Sequence, residues 1–195
     1  MANYNKKISE TTIRVGEVRF GYVRLSSPRK DSNGEPEKYS CQLLIPKTNT
    51  EAIKLIHEAA EAAKKNPPTK NGWGNKTPAA IAKLKPNLRD GDEEFAGDEA
   101  YEGMMFINAN SGLNRKPGIR VLENGILSEA LDDDDFYSGC WGAATVSMYA
   151  FNNNGNMGIG CALNNVIKTR DDESLSGGTN ADQDFADLTS GSCLD

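Results

Sequence analysis

At 195 residues, with 37% hydrophobic and 26% charged residues, the chain suits one domain with insertions or one domain plus a tail, and it can bury a sizeable core. No stretch approaches the 18 or more apolar residues of a membrane span, and the opening MANYNKKISETTI has no apolar secretory run, so the expectation is a cytoplasmic protein without membrane contact. The formal net charge of −6 hides a split: residues 1–90 carry 17 Lys/Arg against 9 Asp/Glu, net +8, and residues 91–195 carry 5 against 19, net −14. Such asymmetry predicts a basic binding surface with acidic regions elsewhere.

Residues 13–25 read as a long strand whose hydrophobic phase shifts at Gly16–Glu17, the mark of a bulge or bend. Asn33–Gly34 signals a hairpin turn, and residues 38–45 form the return strand, ended by Pro46. Asn49 or Thr50 can cap a helix over residues 51–65, whose apolar face is Ile53, Leu55, Ile56, Ala59, Ala60 and Ala63. The single histidine, His57, sits on that helix as a surface residue.

A basic loop over residues 64–89 follows, with no acid between Ala62 and Arg89 and with Trp73 set in Asn71–Gly72–Trp73–Gly74 after Pro67–Pro68. A ring in a mobile basic loop can stack on a base, or fold back onto the core. A short helix is expected at 78–84, a turn at 87–91, a strand at 102–108, a polar loop at 111–117 and a short edge strand at 119–122. That edge can pair with a second copy, which makes a homodimer one expectation.

Residues 136–151 hold five aromatics: Phe136, Tyr137, Trp141, Tyr149 and Phe151. Within residues 144–151, Ala144, Val146, Met148 and Ala150 share one face, and Thr145, Ser147, Tyr149 and Phe151 the other. The first set is core. The second is either ordinary packing or a base-stacking surface. An Asn/Gly turn at 152–156 leads into a partner strand at 157–167.

Residues 171–195 hold seven acids and no Lys or Arg, with Phe185 and Leu188 among the few apolar side chains; this composition predicts a disordered acidic tail. Cys41, Cys140, Cys161 and Cys193 show no CxxC spacing and read as free thiols of a reducing compartment, not as a disulfide framework or a metal site.

The pattern is mainly β: about five curved strands, one main α-helix and long loops. It suits an OB-fold-like five-stranded Greek-key barrel over residues 1–170, and a β-sandwich nearly as well. Several blocks resemble a family of phage and prophage single-stranded DNA-binding proteins with an OB fold. They are Val18–Phe20 with Pro28, KYSCQLLIPK at 38–47, LRDGD at 88–92, YEGMMFINANS at 101–111, FYSGCWGAATVSMYAFN at 136–152 and GIGCALNNV at 158–166. The resemblance spans most of residues 13–168 and implies a non-enzymatic binder of single-stranded DNA with little sequence preference. It would act in phage replication or recombination in the bacterial host cytoplasm, without a cofactor.

The expected phosphate contacts are Arg19, Arg24, Arg29, Lys30, Lys38, Lys70, Lys76 and Arg115, and the expected stacking rings are Tyr22, Trp73, Phe106, Tyr137, Trp141 and Tyr149. The tail is expected to compete with DNA for the basic surface, or to recruit replication or recombination proteins, so truncation after Thr169 should tighten binding at low salt. Two readings of other classes stay open. One is a virion structural or carbohydrate-binding β-sandwich. The other is a metal-dependent nuclease using the carboxylates of 132–135 and 88–92, which lack metal-ligand spacing.

Overall fold

The computed structural model describes residues 4–69, 71–130 and 135–175. Its elements run β1 (Lys6–Lys7), β2 (Thr12–Lys30), β3 (Pro36–Pro46), α1 (Thr50–Lys64), α2 (Pro78–Ala82), β4 (Leu88–Asp90), α3 (Gly91–Glu94), β5 (Met104–Gly112), β6 (Gly118–Glu123), β7 (Ile126–Glu129), β8 (Trp141–Asn153) and β9 (Asn156–Arg170).

Five strands close a barrel in the order β5-β3-β2-β8-β9, and a parallel pairing at Asn110↔Ala162 joins β9 back to β5. The fold is therefore an OB-fold-like barrel, and closure excludes the β-sandwich. One long strand serves two neighbours because it bends. From Thr12 to Arg19 β2 pairs with β8, and from Arg19 onward it pairs with β3. The register shifts between Gly16 and Val18, where Glu17 has φ 51°, so the buried set moves from Ile13 and Val15 to Val18 and Phe20. This is the expected bulge. A second shift follows Gly21, where Tyr22 takes φ 46° and turns outward.

Alternation along the barrel strands sends Cys41, Leu43 and Ile45 of β3, Ile107 and Ala109 of β5, and Ala144, Val146 and Met148 of β8 into one core. The buried face of α1 (Ala52, Ile56, Ala59, Ala60, Ala63) joins that core. Asn49 is the cap: its Oδ1 accepts from the Ala52 N–H at 3.2 Å, and its Nδ2 donates to the Gly16 carbonyl at 2.9 Å, tying helix to bulge. His57 lies exposed on α1. Cys41, Cys140 and Cys161 are buried free thiols, and burial pushes the Cys140 and Cys161 thiols up to about 11 and about 12, away from nucleophilic use.

Several expected boundaries move. The turn expected at 87–91 is β4 followed by the start of α3, and residues 136–140, which carry Phe136 and Tyr137, precede β8 as a turn. The strand expected as an edge, β6, lies between β9 and β7, so the edge is β7, which the sequence reading missed. Residues 171–175, counted with the tail, lie against the barrel: the Leu175 N–H donates to the Ser138 carbonyl at 2.8 Å. The rest of the tail, with Phe185, Leu188 and Cys193, lies outside the described residues.

Candidate nucleic-acid interface

A cleft of about 930 Å³ opens on the outer face of the barrel between its two long hairpins. The β2–β3 hairpin supplies Tyr22, Arg24, Arg29 and Lys38; β3 and β5 supply Ser40, Asn108 and Asn110; the β8–β9 hairpin supplies Tyr149, Phe151, Gly158 and Gly160; Lys85–Pro86–Asn87 close one end. Among the described residues four cations and no carboxylate line it, in a chain of net charge −6. An acid-free concavity of that kind concentrates anions.

The rings are held by the backbone. Tyr149 pairs with Gly160 and Phe151 with Gly158 across the hairpin. A Cβ on Gly160 would lie 2.5 Å from the Tyr149 ring, and one on Gly158 would lie 2.8 Å from the Phe151 ring. Only glycine lets each ring lie down over its partner strand, which leaves the other ring face toward the cleft. The two centroids are 6.4 Å apart. Opposite them, Tyr22 is 67% exposed on its left-handed backbone, an uncommon conformation for a side chain of this size.

The cations differ in their partners. The Arg29 guanidinium pairs with Glu37 at 2.5 Å and Lys38 pairs with the same carboxylate at 3.1 Å, so Arg29 first and then Lys38 hold the Glu37 carboxyl below its ordinary range. Among the described residues Arg24 donates to the neighbouring Val23 carbonyl at 3.1 Å and to no carboxylate. Ser40, Asn108 and Asn110 make the floor polar, and beneath it Gln42 Nε2 donates to Asn108 Oδ1 at 3.2 Å while the Tyr101 hydroxyl donates to Gln42 Oε1.

Of the fourteen residues expected to bind, five line this cleft: Tyr22, Arg24, Arg29, Lys38 and Tyr149. Lys30 and Tyr137 line a second concavity. Lys70 lies outside the described residues. Phe106 is a correction. It shares the outward face of β5 with Asn108 and Asn110, but Tyr101, Phe95 and the Arg89 guanidinium cover it, and its exposure is 0%. Trp73 is half-buried and packs on the core, and Asn152 Nδ2 donates to the Gly72 carbonyl at 3.1 Å, stapling this part of the loop to the β8–β9 hairpin. Lys76 stays with that loop, and Arg115 donates to Asn164 Oδ1 at 2.9 Å, both away from the cleft.

Arg19, Tyr137 and Trp141 gather instead around the root of the tail. Arg19 donates to the carbonyls of Gly139 (3.1 Å) and Glu173 (2.8 Å), and Trp141 Nε1 donates to Asp172 Oδ2 at 2.7 Å. The Tyr137 hydroxyl donates to the Asp172 carbonyl at 2.8 Å. Lys168, with its side chain 7% exposed, pairs with Asp171 at 2.8 Å, and Arg170 lies over the Trp141 ring at 4.2 Å.

The sequence reading put Phe151 on the possible stacking face without naming it as a contact, and it missed Ser40, Asn108, Asn110 and Lys85 as cleft residues. The signal was present: Asn108 and Asn110 alternate with the apolar Ile107 and Ala109, and so share one sheet face. The carboxylates of the nuclease reading are otherwise engaged: Lys47 binds Asp90 at 2.6 Å and Asp92 at 2.7 Å, while residues 132–134 lie outside the described residues.

Residues 11–192 match the family described as Enterobacter phage Enc34, ssDNA-binding protein. A protein called putative protein p50, from Acyrthosiphon pisum secondary endosymbiont phage 1, is 32% identical over 185 residues, covering 91% of this chain and 94% of that protein. Among solved structures, the single-stranded DNA-binding protein from bacteriophage Enc34 in complex with ssDNA superposes with a TM-score of 0.69. It is 28% identical, over 88% of this chain and 96% of that one. The fold alone is shared with gp2.5, a single-stranded DNA-binding protein encoded by bacteriophage T7, at a TM-score of 0.53 and 13% identity, covering 96% of this chain and 100% of that one.

Proposed function

Because the chain belongs to the family of the Enterobacter phage Enc34 ssDNA-binding protein, we propose that its acid-free cleft binds single-stranded DNA. The family is one of binding proteins, not of enzymes. The observation that carries the reading is the pairing of two rings laid over glycines with four cations and a polar floor in one groove. Phosphates follow Arg24, Arg29, Lys38 and Lys85, while bases stack on Tyr149, Phe151 and Tyr22. Each stacked base contributes about 1–3 kcal/mol whatever its identity, so binding has little sequence preference.

Fluorescence anisotropy with a labelled oligo-dT and a matched duplex, each across a salt series, tests this. With four phosphate contacts, log K for the single strand falls against log salt with a slope of about −3, and the duplex binds far more weakly. Equal affinity for both forms, or a flat salt response, would overturn the reading.

Finer assignments rest on composition and placement. Leu175, the last described residue before the rest of the acidic tail, lines a concavity together with Tyr22 and Arg24 at the cleft's edge. From there the tail competes with DNA at low salt and, once displaced, is free for replication or recombination partners in the host cytoplasm. The β7 edge, with Ile126 70% and Leu127 59% exposed, is where a second copy would pair.

A further inference from the structure

A second cleft, of about 950 Å³, lies between the β2 arm and the turn at 136–138. It shares Arg24 and Arg29 with the first, so the two concavities meet at these guanidiniums. Among the described residues its lining again contains no carboxylate. Lys30 stands on it as an exposed cation with no ion pair to a described residue, Ser26 and Ser27 offer hydroxyls, and Phe136 and Tyr137 form the apolar side. Hydroxyls and cations around a partly apolar concavity suit a phosphodiester chain with its bases turned inward. The neighbouring acidic root does not draw on these cations, because Asp171 and Asp172 are already held by Lys168, Arg19, Arg170 and Trp141.

We infer that the second cleft is a continuation of the nucleic-acid track, taking the nucleotides of the same single strand that pass beyond Arg24 and Arg29. The inference rests on the single-strand reading of the first cleft and adds a second segment of ligand to it. Acid-free continuity with the first cleft favours DNA over the rival occupant, the protein's own acidic tail, whose Ser174 stands on the rim.

The test is a series of oligo-dT lengths spanning roughly 4 to 16 nucleotides, the range of site sizes for one OB fold. It is run on the full chain, on Lys30→Ala and Lys30→Glu, and on the same substitutions in a chain ending at Leu175. Affinity of the unsubstituted chain should rise with length beyond the shortest oligomer that fills the first cleft. Lys30→Ala should leave that shortest oligomer unchanged, weaken the longest roughly two- to five-fold, and reduce its salt slope by about 0.7. Lys30→Glu should do the same more strongly, with and without the tail. An equal loss at every length, or at none, overturns the second track. So does a Lys30→Glu chain that binds more tightly than the unsubstituted one only while the tail is present, because the cleft then holds the tail. Absence of oligo-dT binding by the unsubstituted chain at low salt, with or without the tail, overturns the reading of the first cleft and the track with it.

Discussion

Phe106 and Tyr149 are both strand aromatics at outward positions, and their surroundings separate them. Phe106 packs under Tyr101 and Phe95 in a second core cluster with Leu44, so Phe106→Ala should cost about 3–5 kcal/mol of stability, read by denaturant unfolding. Tyr149 is 46% exposed over Gly160, so Tyr149→Ala should leave the unfolding midpoint nearly unchanged and lower single-strand affinity by about 1–3 kcal/mol. Loss of stability without loss of affinity in Tyr149→Ala would place the ring in the core instead. Glu37 acts in the opposite sense. Its carboxylate neutralises two cleft cations, Arg29 and Lys38, so Glu37→Gln should tighten oligo-dT binding, roughly two- to five-fold at low salt, and steepen the salt slope. Unchanged affinity would mean that neither cation reaches phosphate.

At the scale of elements, the hairpins matter most. The β8–β9 turn is Asn154–Gly155, both at positive φ (51° and 92°), a geometry whose twist matches the strands it joins. That turn fixes the register that sets Tyr149 over Gly160 and Phe151 over Gly158. Gly160→Ala should therefore keep the barrel and lose several-fold in single-strand affinity, because the displaced part is a ring that can swing away and not a backbone that must break. A large fall in thermal stability of that variant would show the ring to be part of the fold's framework. The same turn chemistry recurs at Asn124–Gly125, with φ 51° and 77°, and makes the β6–β7 hairpin. The dipeptide stood in the sequence between Leu122 and Ile126, and reading it would have found β7 and corrected the edge.

For the whole molecule, the root of the tail is part of the folded unit. Removing residues after Leu175 should tighten single-strand binding at low salt without loss of stability. The cut after Thr169 also removes Asp171 and Asp172, leaving the buried Lys168 amine without its carboxylate, and should lower stability. Equal stability of the two truncations would show the clasp to be dispensable. The clasp also sets a pH response. Hydrogen bonding to Lys168 first, and then to Tyr137, holds the Asp171 carboxyl below its ordinary range. The Glu173 N–H first, and then Trp141, do the same for Asp172. A depressed folded pKa contributes stability that is fully present above the unfolded value, about 3.9 for Asp, and is lost as pH falls through the folded one. Thermal stability should therefore fall below about pH 4 in the intact chain and do so less in Asp171→Asn.

While the choice of barrel over sandwich waited for the β9–β5 closure, the sequence by itself determined the mainly β class and its long strands, the bulge at Gly16–Glu17, the cap and face of α1 and the basic character of the first half. Each follows from local periodicity, turn chemistry or charge, which neighbours in sequence decide among themselves. It also singled out Tyr22, Arg24, Arg29, Lys38 and Tyr149, which line the cleft, on the strength of the family resemblance and the basic first half. Only the tertiary structure decided that Phe106 is covered, that Trp73 folds inward and that Arg19, Tyr137 and Trp141 hold the tail's root. It also decided that Asn108, Asn110 and Phe151 belong to the cleft. Those outcomes depend on which distant segment comes to lie over a given face: residues 95–101 over β5, Asn152 against Gly72, Asp171–Leu175 beside 137–141. Covering of that kind is set by barrel closure and by the route of the connections across it, which no local pattern encodes.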